Sequence, residues 1–154
     1  AEEAGVALDP AALVPLSHWT PPPTAPRRFT TWFFLTRWPE GATVEVDGAE
    51  IHAHRWLSPA DALRRRDEGE LSLAVPTCVT LWGLAGAQNV AVALGRAERA
   101  DPARYTTHLV HGEAGPVALW FGDAAYDDGD LSRPGGRHRL VMGRTPWRYE
   151  GPVE

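Results

Sequence analysis

The chain predicts a mixed α+β sandwich, and three observations carry that prediction. A run of aromatic and β-branched residues, FTTWFFLTR from Phe29 to Arg37, is nearly continuous in bulk. Such a run fits a strand buried on both faces, near the centre of a sheet. Downstream, Pro76 opens a segment reaching about Arg99. In it Val79, Trp82, Ala85/Gly86, Val90 and Ala93/Leu94 recur at helical spacing, which predicts one long helix packed over the sheet. Beyond Asp101-Pro102, short apolar runs at 107–111, 117–122 and 139–143, punctuated by Gly and Pro, predict an added β-rich C-terminal extension. The expected division is therefore residues 1–100 and an extension of residues 101–154 packed on them.

The elements follow in chain order. Ala1-Glu2-Glu3-Ala4 is good helix former and Gly5 a natural stop, so this segment reads as the end of a helix. Residues 13–19 are short, apolar and predicted extended. Pro21, Pro22, Pro23 and Pro26 then form a stiff loop without helix or central strand. Asp47-Gly48 signals a hairpin turn between 43–46 and 50–57. Ser58-Pro59-Ala60-Asp61 starts a helix: a serine cap, a proline at the first helical position and an acid at the positive end. That helix is expected to run to about Glu68 and stop at Gly69.

Composition narrows the function classes. Of the 154 residues, 44% are hydrophobic and 23% charged, which excludes a wholly disordered chain. No window approaches the length of uninterrupted apolar sequence that a membrane helix needs. The formal net charge of −5 argues against a dedicated nucleic-acid binder. All 15 basic residues are Arg, and a codon bias explains that more cheaply than a binding role. The single Cys78 excludes an internal disulfide framework and a multi-cysteine zinc site, so a reducing cytoplasm is the default compartment.

Several side chains are candidates for chemistry, each beside a plainer reading. Glu2 and Glu3 repel each other and face the negative end of a helix, objections that a divalent cation would remove; a solvated pair is the alternative. Arg27 and Arg28, between the proline loop and the strand, are placed to bind substrate phosphates in bidentate fashion; an exposed pair at a strand start is the alternative. His52 and His54 share a strand face without an evident third metal ligand. Arg64, Arg65 and Arg66 read as a solvated helix face. Arg137-His138-Arg139 is either an anion-binding cluster or a polar turn before a strand. Ser17-His18 lacks a nucleophile-elbow sequence. Cys78 is read as a small buried core residue. Trp32, Trp56 and Trp82 fall in predicted elements and are expected in the core.

Taken in order, these segments resemble the Nudix hydrolases. Ala1-Glu2-Glu3-Ala4-Gly5-Val6 matches the last six positions of that family's motif, which ends any-Glu-Glu-any-Gly-apolar. Leu13-Val14-Pro15-Leu16-Ser17-His18-Trp19, Pro26-Arg27-Arg28-Phe29, Phe33-Phe34 and Trp56-Leu57-Ser58-Pro59-Ala60-Asp61-Ala62-Leu63 follow as in the branch that holds the peroxisomal coenzyme A diphosphatases and their bacterial relatives. Arg137-His138-Arg139-Leu140 and Trp147-Arg148-Tyr149-Glu150 are similar to that branch's C-terminal extension. Thr30 and Trp32 stand where the branch has Asp and Arg.

The resemblance implies a Nudix-like α/β/α sandwich with a mixed sheet, its N-terminal part missing. The motif's opening Gly, its further Glu and its Arg-Glu pair would all fall before Ala1. It also implies hydrolysis of a diphosphate bond in a nucleoside-diphosphate-linked small molecule, such as a coenzyme A derivative. Glu2 and Glu3 would be catalytic residues and ligands to Mg²⁺ or Mn²⁺, and Arg27 and Arg28 would bind substrate. With the motif incomplete, weak or absent activity is expected, together with self-association, as in a homodimer. The alternative within the resemblance is a non-catalytic Nudix-like module that binds a nucleotide without cutting it.

Overall fold

The computed structural model describes residues 10–44, 53–143 and 146–151. It is a mixed α+β fold, with two sheets and three α-helices among the described residues. After one turn of 3-10 helix at Pro10–Ala12, strand β1 (Val14–Thr20) forms as the apolar run predicts. The proline loop follows without regular structure, and β2 (Thr31–Leu35) lies within the aromatic run. β1 and β2 pair antiparallel with His18 opposite Trp32, and the register shifts between Pro15 and Ser17. Pro15 has no N–H to offer the ladder, which accounts for an irregularity there.

The central strand is β1, not the aromatic run. On its other side β1 pairs in parallel with β3 (Ala103–Thr106), giving the order β2-β1-β3 among the described residues. β2 stands on the edge, and Trp32 and Phe34 are 44% and 49% exposed. Aromatic bulk favours a pleated, half-buried surface, but it does not say how many neighbours a strand has. β3 itself was not expected from the sequence: it is short, and Arg104 and two of its neighbours are exposed.

Helix α1 (Pro59–Asp67) is bounded as its sequence dictates. Ser58 Oγ accepts from the Asp61 N–H at 3.1 Å and donates to the Asp61 carboxylate at 2.8 Å. The chain leaves the helix through Gly69 at φ +80°, a conformation open to glycine at little cost. The segment expected as one long helix is two: α2 (Val75–Ala85) and α3 (Val90–Ala97), whose axes meet at 111°. Asn89 makes the break. Its side-chain oxygen accepts from the Val92 N–H at 3.0 Å, starting a new helix where the apolar periodicity runs on. No single helix among the described residues is long and apolar enough to cross a membrane.

The second sheet is an antiparallel meander of β4 (His108–Gly112), β5 (Gly115–Leu119), β6 (Arg139–Val141) and β7 (Arg148–Glu150). The first three overlap the three short apolar runs of the sequence. Thr107 is the crossing point between the sheets. Its N–H donates to Thr20 O at 3.0 Å, and its hydroxyl accepts from Trp120 Nε1 at 3.1 Å.

Alternation along β5 and just beyond it builds two cores. Ala118 and Trp120 join Trp19, Val79 and Leu140; Val117 and Leu119 join Ala125. Trp120 is fully buried and Trp19 nearly so; Trp19 stacks on Tyr105 at 3.8 Å between ring centroids. The tryptophans expected in the core divide differently. Trp56 is 67% exposed and meets Trp38 edge-on, Trp32 lies on the exposed face of the edge strand, and only Trp82 packs against the core. The Asp47-Gly48 turn lies outside the described residues, and residues 43–44 and 53–57 beside it adopt no regular structure.

Candidate functional site

The connection from β1 to β2 is the most site-like part of the first sheet. Prolines preset its backbone, and the Ala25 N–H closes a turn onto Pro22 O at 3.0 Å. Arg27 and Arg28 follow, both exposed, and no described residue forms an ion pair or hydrogen bond with either. Next comes Phe29, which is 75% exposed yet helps to line an apolar cavity of about 320 Å³. Trp19, Pro22, Val75, Leu109 and Met142 are among its other walls, so both sheets and the start of α2 contribute. Two exposed guanidinium groups thus directly precede, along the chain, a residue that lines an apolar recess. Guanidinium forks suit phosphate and carboxylate geometry, and an apolar recess suits a hydrophobic group.

Glu2 and Glu3, the expected metal ligands, lie outside the described residues, as does His52. Among the described residues no group of three or more His, Cys, Asp or Glu is arranged to hold a metal ion. His54 is exposed. Ser17 is buried and its hydroxyl accepts from Trp19 Nε1 at 2.9 Å, while His18 packs on Trp32. Serine and histidine thus face into different surroundings, as alternation on a strand requires. Cys78 is fully buried in the first turn of α2, and burial pushes its thiol pKa up.

The arginine clusters are engaged within the fold. Arg64 pairs with Asp61 and Glu68, and Arg65 with Glu70, along an exposed face. Arg66 departs from the expectation of a solvated face. Its side chain is largely buried, bonded to Asp67 and stacked 3.5 Å above the Trp147 ring. In Arg137-His138-Arg139, Arg137 donates to backbone carbonyls, and His138 donates its backbone N–H to Asp123. Arg139 is buried against Asp123, with Nη2 to Oδ1 at 2.5 Å and Nε to Oδ2 at 2.7 Å.

Asp123 is the residue that sequence reasoning missed. Its carboxylate also accepts the backbone N–H groups of His138 at 2.8 Å and Ala125 at 2.9 Å. Burial alone would raise its pKa. The Arg139 guanidinium and the two backbone donors outweigh burial and hold it at about 2. This ion pair closes the 121–138 loop onto β6; nothing about it points to a ligand.

Compared with models of protein families, with curated proteins and with solved structures, the chain matches none.

Proposed function

We propose that the chain is part of a Nudix-type pyrophosphohydrolase that uses Mg²⁺ or Mn²⁺ to hydrolyse a diphosphate bond in a nucleoside-diphosphate-linked small molecule. The observation that carries this reading is the ordered set of segments from Ala1-Glu2-Glu3-Ala4-Gly5-Val6 through Pro26-Arg27-Arg28-Phe29 to Ser58-Pro59-Ala60-Asp61. The exposure of Arg27 and Arg28, with no ion-pair partner among the described residues, supports it, since a substrate diphosphate needs cations not already neutralised by the protein.

Glu2 and Glu3 supply hard carboxylate oxygens, the donor type that Mg²⁺ and Mn²⁺ take together with substrate phosphate oxygens. When bound, such a metal polarises a phosphoryl oxygen and lowers the pKa of a coordinated water. Arg27 and Arg28 bind and orient the diphosphate, and the recess beside Phe29 receives an apolar part of the substrate.

The test is hydrolysis of ADP-ribose and coenzyme A with Mg²⁺ and with a chelator. It is run on this 154-residue chain and on the longest product of the same reading frame. Chelator-sensitive product release is expected from at least one of the two. Glu3→Gln should lower kcat by about 100-fold, and Arg28→Ala should raise KM by about tenfold. Turnover that ignores both the chelator and Glu3→Gln would overturn the reading. Saturable nucleotide binding without turnover in any product would replace the enzyme with a binding module.

A further inference from the structure

A second and larger cleft, of about 1,080 Å³, opens between α2, α3, the β1–β3 pair and β7. It is slightly larger than the usual range for small-molecule sites, roughly 300–1,000 Å³. Its walls are mainly apolar, with Leu16, Val79, Trp82, Leu84 and Ala97 among them. Among the described residues its charged lining is unbalanced, with Arg96, Arg104 and Arg148 against the single acid Asp101. Arg148 is already bonded to Glu150 at 2.7 Å. Arg96, in the last turn of α3, and Arg104, on β3, are exposed and have no ion-pair partner among the described residues.

We propose that this cleft binds an amphipathic organic anion, an apolar body carrying an acidic head that Arg96 and Arg104 receive. A wholly apolar ligand would leave both guanidinium groups unused. A small, fully hydrated anion would gain nothing from the apolar walls. A cation would meet like charge. Only a molecule with both parts satisfies both parts of the cleft, and the guanidinium fork suits a carboxylate head. The proposal goes beyond the diphosphate reading, because it uses neither Glu2, Glu3, Arg27 and Arg28 nor a metal.

Dodecanoate titrated into the whole chain in the presence of EDTA tests it, followed by tryptophan fluorescence and calorimetry. Dodecanol supplies the same body without charge, and acetate supplies the head without the body. Saturable dodecanoate binding is expected, with dodecanol and acetate weaker by about tenfold or more. The double variant Arg96→Ala/Arg104→Ala changes only exposed side chains. It should weaken dodecanoate by about tenfold or more and leave dodecanol unchanged. A side chain at Gly83 meets nothing within 4 Å while Gly83 lines the cleft, so Gly83→Phe should fold and block binding. The proposal is overturned if dodecanoate does not saturate, if dodecanol binds equally well, or if both variants bind as the parent does. The EDTA keeps this outcome separate from failure of the metal-dependent reading.

Discussion

Asp123→Asn isolates the electrostatic centre of the second sheet. Each carboxylate oxygen of Asp123 accepts from one arm of Arg139 and one backbone N–H: Oδ1 from Nη2 and Ala125, Oδ2 from Nε and His138. An amide in the same place accepts on one side only. Whichever way it turns, two N–H groups lose their acceptor, and Arg139 keeps a full charge in a position where its side chain is only 7% exposed. Breaking a buried pair in this manner costs about 3–5 kcal/mol, a large share of a typical domain's stability of roughly 5–15 kcal/mol. The pH dependence gives a second, independent magnitude. The fall in the Asp123 pKa from 3.8 to about 2 corresponds to about 2 kcal/mol. A depressed carboxyl pKa stabilises the fold above the unfolded-state value, and that stabilisation is lost as pH falls through the folded-state value. The parent should therefore lose about 2 kcal/mol between pH ~5 and pH ~2 that the Asn variant does not. Urea unfolding followed by tryptophan fluorescence, on both proteins across that range, measures it. A neutral-pH loss below about 1 kcal/mol, or a gap between the two proteins that does not narrow in acid, would refute the reasoning.

Three further outcomes are expected. Ser58→Ala removes the α1 cap that holds the Asp61 N–H and should cost about 1 kcal/mol in chemical denaturation, with Ser58→Asp restoring most of it. Gly143→Ala places a Cβ onto the Ala114 carbonyl across the β4–β5 turn, so that turn must shift. The variant should melt several degrees lower, while Gly83→Ala, which meets open space, should not. Because Cys78 is fully buried and burial raises its pKa, its reaction with an aromatic disulfide reagent should be slow in the native protein and complete in denaturant. Rapid native-state labelling would show that α2 opens readily.

Whatever depends on a few neighbouring residues was legible in the chain. The Ser58 cap, Pro59 at the helix start and the Gly69 exit are decided within single turns of backbone, and α1 appears where they place it. The apolar run at 13–19 becomes β1, and four prolines exclude regular structure from the loop that carries Arg27 and Arg28. The exposure of Arg27 and Arg28, the plainer of their two readings, is likewise a matter of local order. The break at Asn89 was also local in kind. It was obscured because apolar spacing continues across it, and side-chain periodicity cannot register a backbone that has been capped and restarted.

The remaining features are set by residues far apart in the chain. Strand composition cannot rank β1 above β2, because the centre of a sheet is chosen by which edge β3 reaches, and β3 lies more than 80 residues beyond β1. Seven tryptophans look alike in sequence. Only the tertiary cluster that gathers β1, α2, β6 and the end of β5 buries Trp19 and Trp120, while Trp32 and Trp56 stay outside it. Asp123 and Arg139, 16 positions apart, carry no spacing signal, since the loop between them has no repeating geometry to read. The larger cleft with Arg96 and Arg104 is likewise assembled from α2, α3 and strands of both sheets. Local propensity acts over the reach of one hydrogen bond along the chain, whereas burial and ion pairing are decided by the partners that folding supplies.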